Sequence, residues 1–587
     1  TMFKPGLFLL SLVLGTVAAG HTCVHDNLPR ELHPTERSHL TYPSDIAEAR
    51  ANTPNSGADR RLKTRANSPI RITYDFSYLE TDVNDAAVKA YLKDKILAPA
   101  KTMLNEALKV TPVVGNLWYG EKTCTAGRWT SGVNKGKCSG EGATPTCGLG
   151  RTIPSKHIKE SQVCPDGSDS STCTTSAGGS GEPNTDFLFY VYASETASCG
   201  GGTLAFAAAC AQDTLDRPIV GYVNFCAVSL KIATDPVEIF DVVMTTVHEM
   251  THALVLSAGL FGYYRDSAGN PRSTRPTDGS DPTPGSSTLG TFTERGHQVQ
   301  KIVTPKVLEA ARAHFGCSTL NGAEIEEGGG AGTAGSHWEQ RIFHGEYMVG
   351  VATSIPPKFS NITLALFEDS GWYMPDYSRA AFLPYGNQQG CDFATAKCLT
   401  PASPPTVPSY GVGYWCTADA DGCAPDRSAA GKCDTSLYGS DLPGSYQYFT
   451  DNSKKGGSMS VVDYCPFVSG YSNRICAKAA AQSSRSNSQG WKYGSTSRCF
   501  TTTLSNNGGT AEDHECYPIS CDGTTLKVEI GGTLTTCGDG NLVTAPGFTG
   551  ALTCPSAAET AKILCPASGH GPSTSTSGST SGGSTSG

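Results

Sequence analysis

The chain has 587 residues, of which 38% are hydrophobic and 17% charged, with a formal net charge of −9. That length holds two or three domains, and the composition is that of a soluble globular chain rather than a disordered or multi-spanning one. A nucleic-acid partner would need a dense Lys/Arg footprint, which is missing, so the composition argues against one.

Lys4, the apolar run over residues 7–17 and the small residues Ala18, Ala19 and Gly20 predict an export signal over residues 1–20. The apolar run is too short to cross a bilayer core of about 30 Å. Residues 21–65 are rich in Arg, His, Pro and Asn and reach the basic stretch 60–65, which fits a propeptide. An exported chain with 23 cysteines predicts a disulfide framework. The count is odd and Cys23 stands apart from the rest, so cutting away the N-terminal segment leaves 22 cysteines for 11 bridges.

Folded structure is expected to begin where Ile70, Ile72, Tyr74 and Phe76 alternate with polar residues, a half-buried strand. Residues 85–97 carry helical spacing, and the Gly/Ser/Thr/Cys-rich stretch 124–173 reads as cross-linked loops. Residues 186–193 and 219–225 are strand candidates, the second a candidate cleft edge that could pair with substrate backbone. Next comes a long helix with Asp235 as N-cap, Pro236 in its first turn and Glu238 completing a capping-box pattern. Val237, Phe240, Val243, Met244, Val247 and Leu254 supply its buried face, and Gly259 offers a stop. Residues 265–290 read as an exposed insertion and 305–314 as a second helix. From about Cys391 short, irregular cysteine spacing predicts a separate stapled domain, followed by a Ser/Thr/Gly tail. Asn361 heads an N-glycosylation sequon, Asn361-Ile362-Thr363.

The long helix carries His248-Glu249-Met250-Thr251-His252. Residues four apart share a helix face, so His248 and His252 can present two imidazoles to one metal ion, with Glu249 beside it as a base. Zinc in such a site lowers the pKa of its water to about 7, and Glu249 would take that proton and pass it to the leaving amine. A catalytic zinc needs a third protein ligand. His297, His314, His337, His344 and, in a different plan, Glu294 are candidates among which the residues alone do not choose.

Several segments together resemble the leishmanolysin family, metzincin zinc peptidases of type M8. They are Thr185-Asp186-Phe187, Gly202-Thr203-Leu204-Ala205, Arg217-Pro218-Ile219-Val220-Gly221, Gly335-Ser336-His337-Trp338-Glu339 and the stretch 386–393. The resemblance implies an α+β chain with a metzincin-like catalytic N-terminal domain built on a mixed sheet and the long zinc-binding helix. A central domain supplies the third ligand, and a disulfide-rich C-terminal domain follows. The implied boundaries are 1–20 signal peptide, 21–65 propeptide, 66–259 catalytic domain, 260–385 central domain, 386–565 Cys-rich domain and 566–587 tail. It implies His337 as third ligand of one catalytic Zn2+, Met348 as the methionine of a turn beneath the metal, and Cys23, in His21-Thr22-Cys23-Val24-His25-Asp26, as a cysteine switch. Glu339 and Glu346 are candidates for supporting the metal ligands or touching substrate, and are expected rather to be solvated or structural residues. One departure is Val255, where metzincins carry glycine.

The function expected is a zinc-dependent endopeptidase acting on protein and peptide substrates, secreted or at the cell surface. The alternative is an adhesion glycoprotein that binds host surface glycoproteins through its Cys-rich region, with an inactive or structural metal site. Membrane association is expected only through an anchor not visible in this chain.

Overall fold

The computed structural model describes residues 21–25, the backbone of 36–37, and residues 67–566 except 201, 278–279, 331, 485–489 and 507–512. The expected signal peptide, most of the expected propeptide and the Ser/Thr/Gly tail lie outside the described residues.

The chain is a mixed α and β structure with several sheets. Its largest sheet is built from β1 (Glu36–Arg37), β2 (Ile72–Asp75), β3 (Phe187–Tyr192), β4 (Ala205–Gln212) and β5 (Pro218–Phe225). They assemble in the order β1-β4-β5-β3-β2. β2, β3 and β5 run parallel, β4 is antiparallel to β5, and β1 pairs parallel with the far end of β4. β3, β4 and β5 are buried throughout, which explains their continuous apolar runs. Because side chains alternate along a strand, Phe187, Phe189, Val191, Ala207 and Val223 face the helices. Leu188, Tyr190, Tyr192, Phe206 and Tyr222 face the other way, under the cross-linked loops.

One sequence-based expectation about this sheet needs correction. β5 is not an edge strand, since it lies between β4 and β3; β4 borders the cleft. Its sequence, AFAAACAQ, has little of the β-branched and aromatic content that marks a strand, and tertiary burial overrides its weak propensity.

The helix expected over 85–97 continues through a π-helical stretch, Tyr91–Leu97, into α1 (Ala98–Ala107). Pro99 sits in the first turn of α1, where proline is tolerated.

The long helix α2 (Pro236–Leu254) begins as expected, with the Asp235 carboxylate accepting from Val237 N–H at 2.8 Å. Glu238 ion-pairs with Lys478 instead of folding back on the cap. Phe240 is 43% exposed, contrary to expectation, because the buried stripe starts a turn later at Val243 and Met244 and continues through Val247, Met250 and Leu254. The helix stops at Leu254 rather than near Gly259, which belongs to a separate short helix, Ala258–Phe261.

The stretch expected as an insertion is tied down by Arg265 and Arg275, both ion-paired with the buried Asp216. It ends in an antiparallel sheet of Leu289–Glu294, His297–Ile302 and Ala323–Ile325. α3 (Pro305–Phe315) stops on Gly316 in the left-handed region, φ 66°, and packs on α4 (Asn361–Asp369). Eleven disulfides use 22 cysteines, and Cys23 is in none of them. Cys317–Cys391 ties the end of α3 to the Cys-rich region, within which the bridges from Cys398 onward close on themselves.

Candidate metal centre

His248 and His252 are one turn apart on the buried face of α2, and His337 reaches them from 85 residues beyond His252. Their Nε2 atoms lie 3.0 Å (His252 to His248), 3.1 Å (His252 to His337) and 3.3 Å (His337 to His248) apart. Each Nδ1 is spoken for. His248 Nδ1 donates to Tyr347 O (2.6 Å), His252 Nδ1 to Leu256 O (2.6 Å) and His337 Nδ1 to Thr333 O (2.7 Å). A carbonyl oxygen only accepts, so the proton of each neutral ring sits on Nδ1 and the lone pair on Nε2. Burial lowers the pKa of all three imidazoles, which keeps them neutral.

Three lone pairs pointed at one small space repel one another unless a cation lies between them. A tetrahedral zinc with Zn–N bonds of about 2.0–2.1 Å separates its nitrogen ligands by about 3.3 Å, close to the spacing here. The carbonyls on Nδ1 are the usual outer partners that orient metal-binding histidines. The donor set therefore fits zinc.

Cys23 supplies a fourth donor. Its Sγ lies 3.4 Å from His252 Nε2, and Cys23, His248, His252 and His337 form one buried group able to hold a metal ion. Glu249, fully buried, stands beside this group with Oε1 3.7 Å from Cys23 Sγ and 3.0 Å from His21 Nε2. Burial pushes the Glu249 carboxyl up to about 7, against the lowering influence of His248, the Cys23 thiol and the Ala207 backbone. Burial likewise lowers the His21 imidazole to about 4.

The backbone after α2 turns at Val255, with φ −151° and ψ −55°. Neither angle is in the left-handed region, so the glycine usual at this place is not required. Val255 and Leu256 N–H both reach back to Thr251 O, and Leu256 O then meets His252 Nδ1. The turn thereby orients the second imidazole.

Met348 is fully buried, and its carbonyl accepts from Trp338 N–H at 3.1 Å, next to His337. Gly350 has a reason to be glycine here: a Cβ would come within 3.0 Å of Thr333 and 3.7 Å of the His337 ring. Glu346 is also fully buried, accepting from Ser360 Oγ and Thr363 Oγ1 (2.6 Å each) and from Met348 N–H. Glu339 caps the short helix Gln340–Phe343 through Arg341 N–H. Asn361 is exposed at the start of α4, whereas Thr363 of the same sequon is buried against Glu346 and Trp338.

The other candidate ligands are elsewhere. His344 bonds Thr353, His314 bonds Tyr385 O, and His297 and Glu294 belong to the hairpin. His21, His25 and Ser257 were not singled out as site residues from the sequence, yet all border the centre. His25 stacks on His252 with ring centroids 4.2 Å apart and planes within 7°. The one sequence signal for the two histidines was their position on either side of Cys23, and Ser257 had none.

The sequence profile of the leishmanolysin peptidase family matches residues 156–570. A leishmanolysin-like peptidase of Drosophila pseudoobscura pseudoobscura is 33% identical over 79% of this chain and 73% of its own length. One from Caenorhabditis elegans is 33% identical over 74% of this chain and 72% of its own. Leishmanolysin of Leishmania major is 32% identical over 51% of this chain and 45% of its own.

Proposed function

The chain belongs to the leishmanolysin family of metalloendopeptidases, and from that premise we propose that it is a zinc endopeptidase made as a latent precursor. In this reading His248, His252 and His337 hold one Zn2+, Glu249 is the general base and Cys23 is the switch that keeps the precursor silent.

One observation carries it: three neutral imidazoles converge their Nε2 lone pairs within 3.3 Å, with the Glu249 carboxylate at the edge of the same space. When bound, zinc supplies Lewis-acid polarisation of the scissile carbonyl and makes hydroxide accessible near neutral pH. Once residues 21–25 withdraw, Oε1 of Glu249 loses its partners His21 and Cys23 and opens into the cleft. Glu249 then takes the proton of the attacking water and delivers it to the nitrogen of the leaving amine.

Backbone groups that now hold the N-terminal segment become available to an extended substrate. They are Gly350 O, Ala352 N–H and Leu204 N–H, lining both walls of the cleft. Main-chain pairing of this kind is indifferent to sequence, which supports broad action on extended protein segments. Met348 serves as a buried floor, and its role is structural.

The wider reading keeps a metzincin-like catalytic region over 66–259, a central region over 260–385 bearing His337, a Cys-rich region over 386–565, and export through residues 1–20 with removal of 21–65. Eleven disulfides favour the secretory and extracellular side. Exposure of Asn361 supports an N-glycan there, with the transfer made before Thr363 is buried.

Casein hydrolysis by the secreted, propeptide-free protein tests the reading. Wild type should cleave, and 1,10-phenanthroline or Glu249→Ala should each abolish cleavage. A Glu249→Ala protein as active as wild type would overturn the assignment of the base. An inert wild type that binds host cells would favour the adhesion reading.

A further inference from the structure

Residues 21–25 cross the cleft, bridged antiparallel to Val351 at Thr22, with His21, Cys23 and His25 buried while Thr22 and Val24 are only partly so. The three buried side chains all face the candidate metal centre, where His21 meets Glu249 and both Cys23 and His25 meet His252. The segment is pinned on one wall by Cys23 N–H to Gly350 O (3.1 Å) and Ala352 N–H to His21 O (2.9 Å). On the other wall, Thr203 Oγ1 donates to Thr22 O at 3.4 Å.

The two imidazoles occupy separate, chemically defined positions. Leu204 N–H donates to His21 Nδ1 at 3.0 Å, so the ring proton is on Nε2, which donates to Glu249 Oε1 at 3.0 Å. His25 Nδ1 donates to Ala207 O at 2.9 Å, which leaves Nε2 to accept from Ser257 Oγ at 2.9 Å while the ring stacks on His252. The first imidazole occupies the carboxylate that would act as base. The second covers a ring that would hold the metal.

We propose that the cleft is a three-anchor binding site for extended peptides of the form His-x-Cys-x-His, so that the excised N-terminal segment remains an inhibitor in trans. This rests on the peptidase reading above, but the thiol is only its middle anchor. Linked contacts reinforce one another, because each one made holds the others at high local concentration. A segment held by the thiol alone opens whenever that one bond breaks; one held at three points does not. Latency in this chain is therefore a property of the pentapeptide, with His21 silencing the base independently of the metal.

The test uses the full-length chain and two readouts. The first is the rate at which iodoacetamide alkylates Cys23, followed by mass spectrometry, a measure of segment opening that needs no catalysis. His21→Ala and His25→Ala should each raise that rate about tenfold or more, as loss of a buried hydrogen-bonded anchor implies. The second uses a chain carrying His21→Ala, Cys23→Ser and His25→Ala together, whose own segment is disabled. The hexapeptide of residues 21–26 should inhibit its casein hydrolysis, and the same peptide with either histidine replaced by alanine should inhibit about tenfold more weakly. Equal inhibition by all three peptides, or alkylation rates within twofold of wild type, overturns the proposal. A triple variant that is inert while alkylation still accelerates in the single variants means that the peptidase reading has failed and the imidazole anchors have not.

Discussion

The carbonyl oxygen of Tyr347 accepts a 2.6 Å hydrogen bond from Nδ1 of His248, so the residue before Met348 orients the first imidazole of the helix pair. The Tyr347 hydroxyl also meets Thr251 Oγ1 on α2 at 3.0 Å, which fastens that turn to the helix at two points. Behind it stands Glu346, whose carboxylate gathers Ser360 Oγ, Thr363 Oγ1 and Met348 N–H. Glu346→Ala would leave those donors buried without an acceptor, at about 1–3 kcal/mol for each one that finds no water. We expect a loss of about 3 kcal/mol in stability and a fall in zinc affinity of about 10–100-fold, the usual effect of removing outer-shell support. Thermal unfolding and competition with a zinc chelator measure the two. An unchanged zinc affinity would mean that Tyr347 O holds its position without Glu346.

Metal removal should loosen the whole chain, because the three imidazoles join α2 to the segment bearing His337. A ligand present at 1,000 times its Kd adds about 4 kcal/mol to the folded state. Dialysis against 1,10-phenanthroline is therefore expected to lower Tm, and added Zn2+ to restore it where Mg2+, which prefers oxygen ligands, does not. His337→Ala leaves two imidazoles, and zinc content after gel filtration should drop to a small fraction of wild type. Full zinc retention in that variant would remove His337 from the ligand set.

Val255 takes the place where the metzincin pattern has glycine, and its backbone, at φ −151°, does not need one. The side chain is fully buried in the main core. Val255→Gly is thus expected to destabilise by about 2–3 kcal/mol, the sum of lost apolar burial and added chain freedom, with no gain in activity. Urea unfolding measures the first and casein hydrolysis the second. A more active glycine variant would show that the turn at Val255 constrains the His252 ring unfavourably.

What was legible in the sequence follows the range of each signal. His248 and His252 were readable because helical periodicity is local, and the status of Cys23 because an odd count survives any pairing of the other cysteines. β3 and β5 announced themselves as apolar runs. β4 did not, because an alanine-rich strand carries no propensity signature and exists through burial and the Cys147–Cys210 bridge. Phe240 was misread because the stripe of α2 rotates into the core only after its first turns. The contact between His21 and Glu249 spans 228 residues and leaves no trace in local sequence. His337 could be chosen over His297, His314 and His344 by resemblance, but spacing alone could not choose it.

A carboxylate of the Cys-rich region, that of Asp463, stands beside two arginines behind the segment that carries His337. Asp463 Oδ2 lies 3.2 Å from Arg295 Nε and 3.1 Å from Arg341 Nε, and both guanidiniums are almost wholly buried. Arg295 also pairs with Glu324, and Arg341 donates to Phe393 O and Ala394 O. Glu324 and Arg341 flank the segment that carries His337: Glu339 N–H bonds Glu324 O, and Glu326 N–H bonds His337 O at 2.9 Å. Removing one partner of a buried ion pair leaves uncompensated charge and costs about 3–5 kcal/mol. Asp463→Ala should therefore destabilise by about that amount and also weaken zinc retention, although residue 463 is far along the chain from any proposed ligand. Asp463 adopts a left-handed backbone, φ 55°, which asparagine also tolerates, so Asp463→Asn separates charge from conformation. If asparagine restores stability and zinc content, the backbone turn is what matters; if it behaves like alanine, the negative charge between the two arginines holds the third-ligand segment in place.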